Sequence, residues 1–295
     1  MNNAVHVPVM WREVLQHLEL SPGLTVLDGT VGAGGHSRKI LDVVGESGCL
    51  IGCDRDPMML EHARQVLTDS NAHLIHTSYR HCQQHLDAFA PDGVDRLLLD
   101  LGLSSDQLAD RDRGFGFDAG GPLDMRFDVS TGRPAADLLN GDSRDELEEL
   151  LTTFGEEPYA AQIAERIVSV RRSAPLKTTE DLVSCVRHAV PRNAQPAGKN
   201  PATRVFQALR IAVNKELEHV QQMLTDVLPT ILKPGGIAVI LTFHSLEDRL
   251  VKNAFRAKDT WQVLNKRPIE ATPAEIRLNP RSRSAKLRAA RRSPS

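Results

Sequence analysis

A glycine-rich turn between a short apolar strand and a helix constrains this chain more than any other feature. The segment Val26-Leu27-Asp28 is typical of the end of a buried strand, and Gly-Thr-Val-Gly-Ala-Gly-Gly follows it directly. Glycines are needed where a ligand approaches the backbone more closely than a Cβ permits, or where φ is positive. A second apolar segment, residues 49–53, ends at Asp54, twenty residues after Gly34. Because a doubly wound sheet sets an acid against ribose hydroxyls at that spacing, we predict a nucleoside-containing cofactor.

Strand and helix patterns alternate through the first hundred residues. Helices are predicted over 35–44 and from Pro57 onward, where Asp56 has the character of an N-cap. The predicted strands are Thr25–Asp28, Cys49–Asp54, His73–His76 and Val94–Leu99. Strands that alternate with helices predict parallel pairing with right-handed crossovers, and hence an α/β fold of the Rossmann-like type.

The alternation stops after Asp106 and resumes near residue 204. A loop over 113–134 is followed by helical patterns at 144–154, 159–172 and 179–190, which indicate a mainly helical inserted subdomain. We therefore predict a parent α/β domain of residues 1–107 and 204–295 around an insertion of residues 108–203. Apolar positions from Phe206 to Val227 predict one long amphipathic helix, and a buried strand over 237–243 is predicted to deliver His244.

Charge is distributed unevenly along the chain. Residues 249–295 hold thirteen Lys and Arg against three acidic residues, whereas the whole chain holds 36 basic and 38 acidic residues. A basic end of this kind predicts a surface for polyanions. The four cysteines form no C-x-x-C pair, and no apolar run is long enough for a membrane helix. We therefore expect a reduced, cytoplasmic protein without a metal site or membrane association.

The glycine turn is compatible with two nucleotide cofactors, NAD and S-adenosylmethionine. A dinucleotide site favours G-x-G-x-x-G, whereas this turn has the frame Asp28-x-Thr30-x-Gly32-x-Gly34. Together with Asp54, an acid at Asp100 after the fourth strand favours S-adenosylmethionine over NAD. Amides at the start of the helix would hold the methionine carboxylate, Asp54 the ribose hydroxyls, and an acid near Asp100 the adenine amine.

Several longer blocks resemble one particular family, the small-subunit ribosomal RNA methyltransferase H or MraW family. The resemblance covers almost the whole chain. Its blocks are His6-x-Pro8-Val9-Met10, Asp28-Gly29-Thr30-x-Gly32-x-Gly34-Gly35-His36-Ser37, Asp54-Arg55-Asp56-Pro57, Leu99-Asp100-Leu101-Gly102-x-Ser104-Ser105, Gln107-Leu108, Arg113-Gly114-Phe115-x-Phe117, Gly121-Pro122-Leu123-Asp124-Met125-Arg126, Thr203-Arg204-x-Phe206-Gln207-Ala208 and Phe243-His244-Ser245-Leu246-Glu247-Asp248-Arg249.

The resemblance implies a class I S-adenosylmethionine-dependent methyltransferase. The expected reaction methylates the exocyclic N4 of a cytidine in the decoding region of bacterial 16S ribosomal RNA, within the small ribosomal subunit. Tyr79 stands where the family commonly has Phe, and either ring can pack on adenine. The implied cofactor contacts are Gly34, Gly35, His36, Asp54, Tyr79, Asp100 and Gln107.

The N4 amine of cytosine is a poor nucleophile, because its lone pair is delocalised into the ring. Acceptors aimed at the N4 hydrogens would stabilise the charge that develops on nitrogen, and Asp100, Ser104 and His244 are the candidate catalytic residues. The candidates for stacking on the target base are Phe115, Phe117 and Phe243, and the candidates for phosphate contacts are Arg111, Arg113 and Arg126. A DNA N4-cytosine methyltransferase, an NAD-type oxidoreductase and a non-catalytic ribosome-assembly factor are the alternatives.

Overall fold

The structure, a computed structural model, describes residues 8–117, 120–195 and 200–294. The chain forms two compact units: one runs from Leu103 to Glu216, and the other comprises the residues on either side of that segment. The helix over 203–214 belongs to the first of these, the insertion unit, whereas the predicted boundary places residues 204–214 in the parent domain. Residue His6 of the N-terminal block lies outside the described residues.

The larger unit, here the sheet unit, is built around a mixed β-sheet in the order β3-β2-β1-β4-β5-β8-β6, with β7 paired to β8. The first five strands pair in parallel, and β8 runs antiparallel to β5. Its strands are β1 (Thr25–Asp28), β2 (Cys49–Asp54), β3 (Ala72–His76), β4 (Val94–Asp100), β5 (Leu232–Thr242), β6 (Trp261–Val263), β7 (Ile269–Glu270) and β8 (Lys286–Arg292). This topology confirms the predicted Rossmann-like α/β fold.

Fourteen α-helices occur in the described part of the chain, and a π-helical turn over Met223–Val227 joins two of them. They are α1 (Trp11–Leu18), α2 (Gly35–Val44), α3 (Pro57–Val66), α4 (Gln83–Leu86), α5 (Ser105–Ala109), α6 (Ala135–Gly141), α7 (Arg144–Gly155), α8 (Ala160–Arg171), α9 (Thr179–Ala189), α10 (Thr203–Asn214), α11 (Glu216–Gln222), α12 (Leu228–Ile231), α13 (Ser245–Ala254) and α14 (Pro273–Leu278).

Local sequence signals explain why α3 begins where it does. The side chain of Asp56 accepts a hydrogen bond from the backbone N–H of Met58 at 3.0 Å, which satisfies one of the amides that lack a partner inside the helix. Pro57 occupies the first helical position, where its missing N–H is of no consequence. The predicted start of this helix is confirmed.

The prediction of one continuous helix over 206–227 is wrong. The chain leaves the helical conformation at Lys215, whose φ of 52° is left-handed, and α11 begins on the other side. The preceding residue, Asn214, is buried and accepts a hydrogen bond from the N–H of Phe127, while it donates another to the carbonyl oxygen of Met125. These contacts anchor the end of α10 within the insertion unit, and apolar periodicity carries no information about them.

The two units have separate hydrophobic cores. Two clusters cover the faces of the sheet, with Leu27, Leu97 and Ile240 in one of them and Val26, Leu98 and Val239 in the other. The insertion unit has its own cluster, formed by α6 to α10 and the loop before α6. No helix among the described residues is both long and apolar enough to cross a membrane.

Candidate functional site

Parallel register brings three aspartates to the same edge of the sheet. Asp28 ends β1, Asp54 ends β2 and Asp100 ends β4. Asp28 pairs with Gly52 of β2 and with Leu98 of β4. Both neighbouring strands therefore extend two residues beyond the end of β1, to Asp54 and Asp100. Ligands of open α/β sheets bind at the carboxyl ends of the strands, and these three carboxyl groups therefore mark the candidate site.

Asp28 is a structural residue of the glycine turn. Its carboxylate accepts hydrogen bonds from the hydroxyl of Ser37 at 2.7 Å and from the N–H of Thr30 at 3.2 Å. The side chain is fully buried, and burial raises the pKa of this carboxyl above its ordinary value. Asp28 therefore ties the end of β1 to the first turn of α2.

Asp54 connects the glycine turn to the second strand. Its two oxygens accept hydrogen bonds from the N–H of Gly32 at 2.8 Å and from the N–H of Asp56 at 2.9 Å. Desolvation outweighs these bonds and raises the pKa of Asp54 from 3.8 to about 6. The side chain is half-buried, so a carboxylate with further lone pairs faces the space at the edge of the sheet.

The glycines of the turn adopt conformations that other residues avoid. Gly32 has a φ of 52°, and Gly34, the N-cap of α2, has a φ of 87°. A Cβ on Gly35 would lie 2.8 Å from the Cγ of Pro8, so the first residue of α2 has no room for a side chain. His36 follows with a buried ring.

Asp100 and His36 face each other with unused hydrogen-bonding capacity. The Nε2 atom of His36 lies 3.5 Å from the Oδ2 atom of Asp100. Within the described structure, neither this Nε2 nor the buried Oδ1 of Asp100 has a hydrogen-bond partner. The backbone N–H of Asp100 donates to the hydroxyl of Thr30 at 2.7 Å, which fixes the end of β4 against the turn. Thr30 was part of the sequence motif, but its role was not predicted.

Tyr79 lies close to the first glycine of the turn. Its Cβ would be 2.9 Å from a Cβ on Gly29, so the absence of a side chain there lets the two backbones approach. The ring is buried and meets the ring of His219 edge to face, with centroids 6.3 Å apart. The Nδ1 of His219 lies 3.1 Å from the hydroxyl oxygen of Ser78. Sequence reasoning missed His219, because it is 140 residues away along the chain.

Ser104 and Gln107 form a capping box in the insertion unit. The hydroxyl of Ser104 accepts from the N–H of Gln107 at 3.0 Å, and the Oε1 of Gln107 accepts from the N–H of Ser104 at 2.9 Å. The two side chains thereby start α5. Ser104 was predicted to be catalytic and Gln107 to bind the cofactor. In the structure, both side chains have a local structural role.

His244 is the N-cap of α13. The helix begins with a capping box in which the N–H of Glu247 donates to the Nδ1 of His244. The Nε2 of His244 lies 3.1 Å from an oxygen of Glu247, and both side chains are buried. The other oxygen of Glu247 accepts from the N–H of Phe243 at 2.8 Å. Glu247 therefore organises the end of β5, a role that was not predicted.

The arginines and aromatic rings proposed for RNA contact mostly have partners inside the insertion unit. Arg113 is buried and donates to the carbonyl oxygens of Arg126 and Phe127. Arg126 forms a bidentate ion pair with Asp124. Phe115 stacks on Phe127 and Phe117 meets Phe206 edge to face. These side chains hold the loop together, whereas Arg111 is exposed.

The sheet edge fits a cofactor that carries amine and hydroxyl donors. The buried Oδ1 of Asp100 accepts nothing from the described part of the protein, and Asp54 is only partly buried. Glycines 32 and 34 keep the approach to the backbone clear of side chains. S-adenosylmethionine has the ribose hydroxyls and the amines that such acceptors require. No group of three or more His, Cys, Asp or Glu among the described residues is arranged to hold a metal ion.

Comparison with known proteins identifies close relatives over the full length. The family model described as the MraW methylase family matches residues 3–293. A ribosomal RNA small subunit methyltransferase H from Elusimicrobium minutum is 44% identical over 98% of this chain and 99% of its own length. Its counterpart from Trichlorobacter lovleyi is 45% identical over 97% of each chain. Among solved structures, TrmN from Thermus thermophilus has a TM-score of 0.46 at 13% identity, covering 96% of this chain and 48% of that one.

Proposed function

The chain belongs to the MraW methylase family, and we propose that it methylates the exocyclic N4 of a cytidine in the decoding region of bacterial 16S ribosomal RNA. The observation that carries the proposal is the buried Oδ1 of Asp100, an acceptor without a described partner at the carboxyl edge of the sheet. The relatives described above are named ribosomal RNA small subunit methyltransferase H and match 97–98% of this chain.

The chain is a methyltransferase, and its cofactor is S-adenosylmethionine, whose sulfonium supplies the methyl group when bound. We assign the cofactor contacts of the sheet unit to Gly34, Gly35, His36, Asp54, Tyr79 and Asp100. Backbone amides at the start of α2 would hold the methionine carboxylate, because helix N-termini attract anions. The carboxylate of Asp54 would accept from the ribose hydroxyls, and Tyr79 would pack on adenine. Gln107 stays a proposed contact, although its amide oxygen already caps α5.

Asp100 is the first of the proposed catalytic residues. A carboxylate oxygen that accepts a hydrogen bond from an amine localises the lone pair on that nitrogen, which favours methyl transfer. Two amines suit this acceptor, the amine of adenine and the N4 of the target cytosine, and each predicts a different kinetic effect of substitution. Ser104 and His244 stay proposed catalytic residues. Both already cap helices, so each would act from a fixed position.

Transfer of labelled methyl groups tests the reaction directly. Purified protein is incubated with methyl-labelled S-adenosylmethionine and small ribosomal subunits, protein-free 16S RNA or DNA, and the products are digested to nucleosides. We expect label in N4-methylcytidine from the subunit or the RNA and none in the DNA. Label on any other nucleoside, or in DNA alone, would refute the substrate assignment. A chain that associates with subunits without transferring methyl groups would be a non-catalytic assembly factor.

A further inference from the structure

A basic cleft lies in the sheet unit, away from the three aspartates. It encloses about 350 Å³ next to β6 and β8, a volume within the usual range of ligand pockets. In the order of the sheet, β4 with Asp100 is separated from β8 by β5. We call it the C-terminal cleft. Its lining includes the cations Lys252, Arg256, Lys258, Lys266 and Arg288 and the rings of Phe255 and Trp261.

Four of these cations have no carboxylate partner among the described residues. Lys252, Arg256, Lys258 and Lys266 are exposed, and no ion pair is found for them in the described parts of the protein. Arg288 differs, because both oxygens of Asp248 accept from its guanidinium at 2.6 and 3.0 Å. None of the residues that line the cleft is acidic. The cleft therefore presents four positive charges.

The cations come from three separate segments, so sequence proximity alone does not bring them together. Lys252 and Arg256 are four residues apart, on α13 and just beyond its end. Lys258 lies in the turn before β6, and Lys266 follows β6. The fold therefore brings like charges together, and a bound anion would offset the repulsion between them.

The interior of the cleft is apolar. Phe255 and Trp261 are 3% and 4% exposed, and their ring centroids lie 5.5 Å apart. Val263 adds a side chain that is 40% exposed. A small inorganic anion would leave this surface unused. A nucleotide would use both parts, because its phosphates suit the cations and its ribose or base can pack on the exposed side chain of Val263.

We propose that the C-terminal cleft binds one or two nucleotides of single-stranded RNA at a site separate from the methyl-transfer centre. The identification of the polyanion as RNA depends on the proposed function. Binding here would anchor the substrate through its backbone, with little dependence on base sequence. This site accounts for part of the basic charge of residues 249–295.

Salt dependence of RNA binding tests the cleft. The full-length protein is titrated into a fluorescein-labelled single-stranded RNA of mixed sequence at several salt concentrations, with wild type compared to K252Q/R256Q/K258Q/K266Q. Each phosphate contact contributes about 0.7 to the slope of log K against log salt for single strands. Because one or two nucleotides carry one to three phosphates, we expect the slope to fall by about 1 to 2 and the affinity at low salt to fall at least about tenfold.

A matched variant controls for net charge. R64Q/R267Q/R277Q/R283Q removes the same charge at exposed positions outside the cleft, three of them in the same basic segment. We expect it to lose much less affinity than the cleft variant. Equal losses, or no loss in either, would overturn the proposal. If polyglutamate of equal charge competes as well as unlabelled RNA, the cleft recognises acidic protein, and the RNA assignment fails.

Two further measurements separate this inference from the proposed function. Calorimetric binding of S-adenosylhomocysteine should be unchanged in the cleft variant, and this result also shows that the variant is folded. Methyl transfer to RNA by the wild type tests the function itself. If RNA binding depends on the cleft but no RNA is methylated, the cleft stands and the proposed function fails. If RNA is methylated and binding does not depend on the cleft, the proposed function stands and the proposal for the cleft fails.

Discussion

The Nε2 of His36 lies 3.5 Å from the Oδ2 of Asp100, while the Oδ1 of Asp100 is buried without a partner in the described structure. One carboxylate therefore has an oxygen beside a buried histidine and another left for a ligand. A buried acceptor without a partner is unfavourable by about 1–3 kcal/mol, so the arrangement is consistent with a donor that arrives with a ligand. The two candidate donors, on the cofactor and on the target base, are distinguishable by substitution.

Asp100→Asn should separate these two roles. The substitution keeps the shape of the side chain and removes its negative charge. If Asp100 accepts from the target N4, kcat should fall by about 10- to 100-fold, the equivalent of a hydrogen bond to a charged group, with an unchanged Kd for S-adenosylhomocysteine. If it accepts from adenine, that Kd should rise by a similar factor. Asp42→Asn, at an exposed position on α2, is the control. Normal kcat and normal Kd would remove Asp100 from the site.

Binding of S-adenosylhomocysteine should depend on pH through Asp54. Burial raises the pKa of this carboxyl to about 6, so it is protonated in the folded protein at a pH where it is ionised in the unfolded chain. Because the folded protein binds this proton more tightly than the unfolded chain does, proton binding stabilises the folded state. This contribution is fully present below pH 3.8 and is lost as the pH rises through 6. The ionised form is the better acceptor for ribose hydroxyls.

Calorimetry between pH 5 and pH 7.5 measures this dependence. We expect wild-type affinity for S-adenosylhomocysteine to rise with pH by up to about tenfold, whereas Asp54→Asn should bind weakly with little change over the same range. Thermal denaturation provides a second readout, because the Tm of the wild type relative to Asp54→Asn should fall as the pH rises. Parallel pH profiles for the two proteins would contradict the assignment.

Gly29→Ala should disturb the site by steric pressure. Its Cβ would lie 2.5 Å from the Cδ2 of Leu99 and 2.9 Å from the Cβ of Tyr79. We expect a loss of about 1–3 kcal/mol in the free energy of unfolding, together with weaker binding of S-adenosylhomocysteine as Tyr79 is displaced. Gly45→Ala is the comparison, because a Cβ at Gly45 meets nothing within 4 Å although its φ is positive. That variant should be destabilised without losing affinity. Equal affinity of both variants would show that the position of Tyr79 is unimportant for binding.

The parts of the fold that sequence predicted best are encoded locally. Asp56 and Pro57 define the start of α3 through a cap and a missing N–H, and both signals lie within three residues of each other. The ends of β1, β2 and β4 were likewise predictable, because short apolar segments end in aspartates there. Once parallel pairing was inferred from alternation, the meeting of Asp28, Asp54 and Asp100 at one edge followed.

Roles that depend on distant partners were not predictable. The sequence shows the charges of Arg113 and Arg126, which suggested phosphate contacts. It does not show the carbonyl groups and the carboxylate of Asp124 that receive them in the folded insertion unit. Glu247 and His219 were missed for the same reason. A single sequence reports residue types and spacing, whereas the use of each polar group depends on which partner the fold supplies.

Asn214→Ala should remove the hydrogen bonds that hold the loop before α6 to the end of α10. The amide of Asn214 accepts from the N–H of Phe127 at 2.8 Å and donates to the carbonyl oxygen of Met125 at 2.7 Å. Without it, two backbone groups lose their partners, and we expect a loss of about 2–4 kcal/mol in the free energy of unfolding. Asn214→Asp keeps an acceptor for Phe127 but lacks the donor, so its effect should be intermediate.

Hydrogen exchange is the decisive measurement, because the Phe127 amide should lose protection in the Ala variant and retain most of it in the Asp variant. Asn253→Ala, at an exposed position, should change neither quantity. Unchanged protection of Phe127 in Asn214→Ala would mean that other contacts hold this loop.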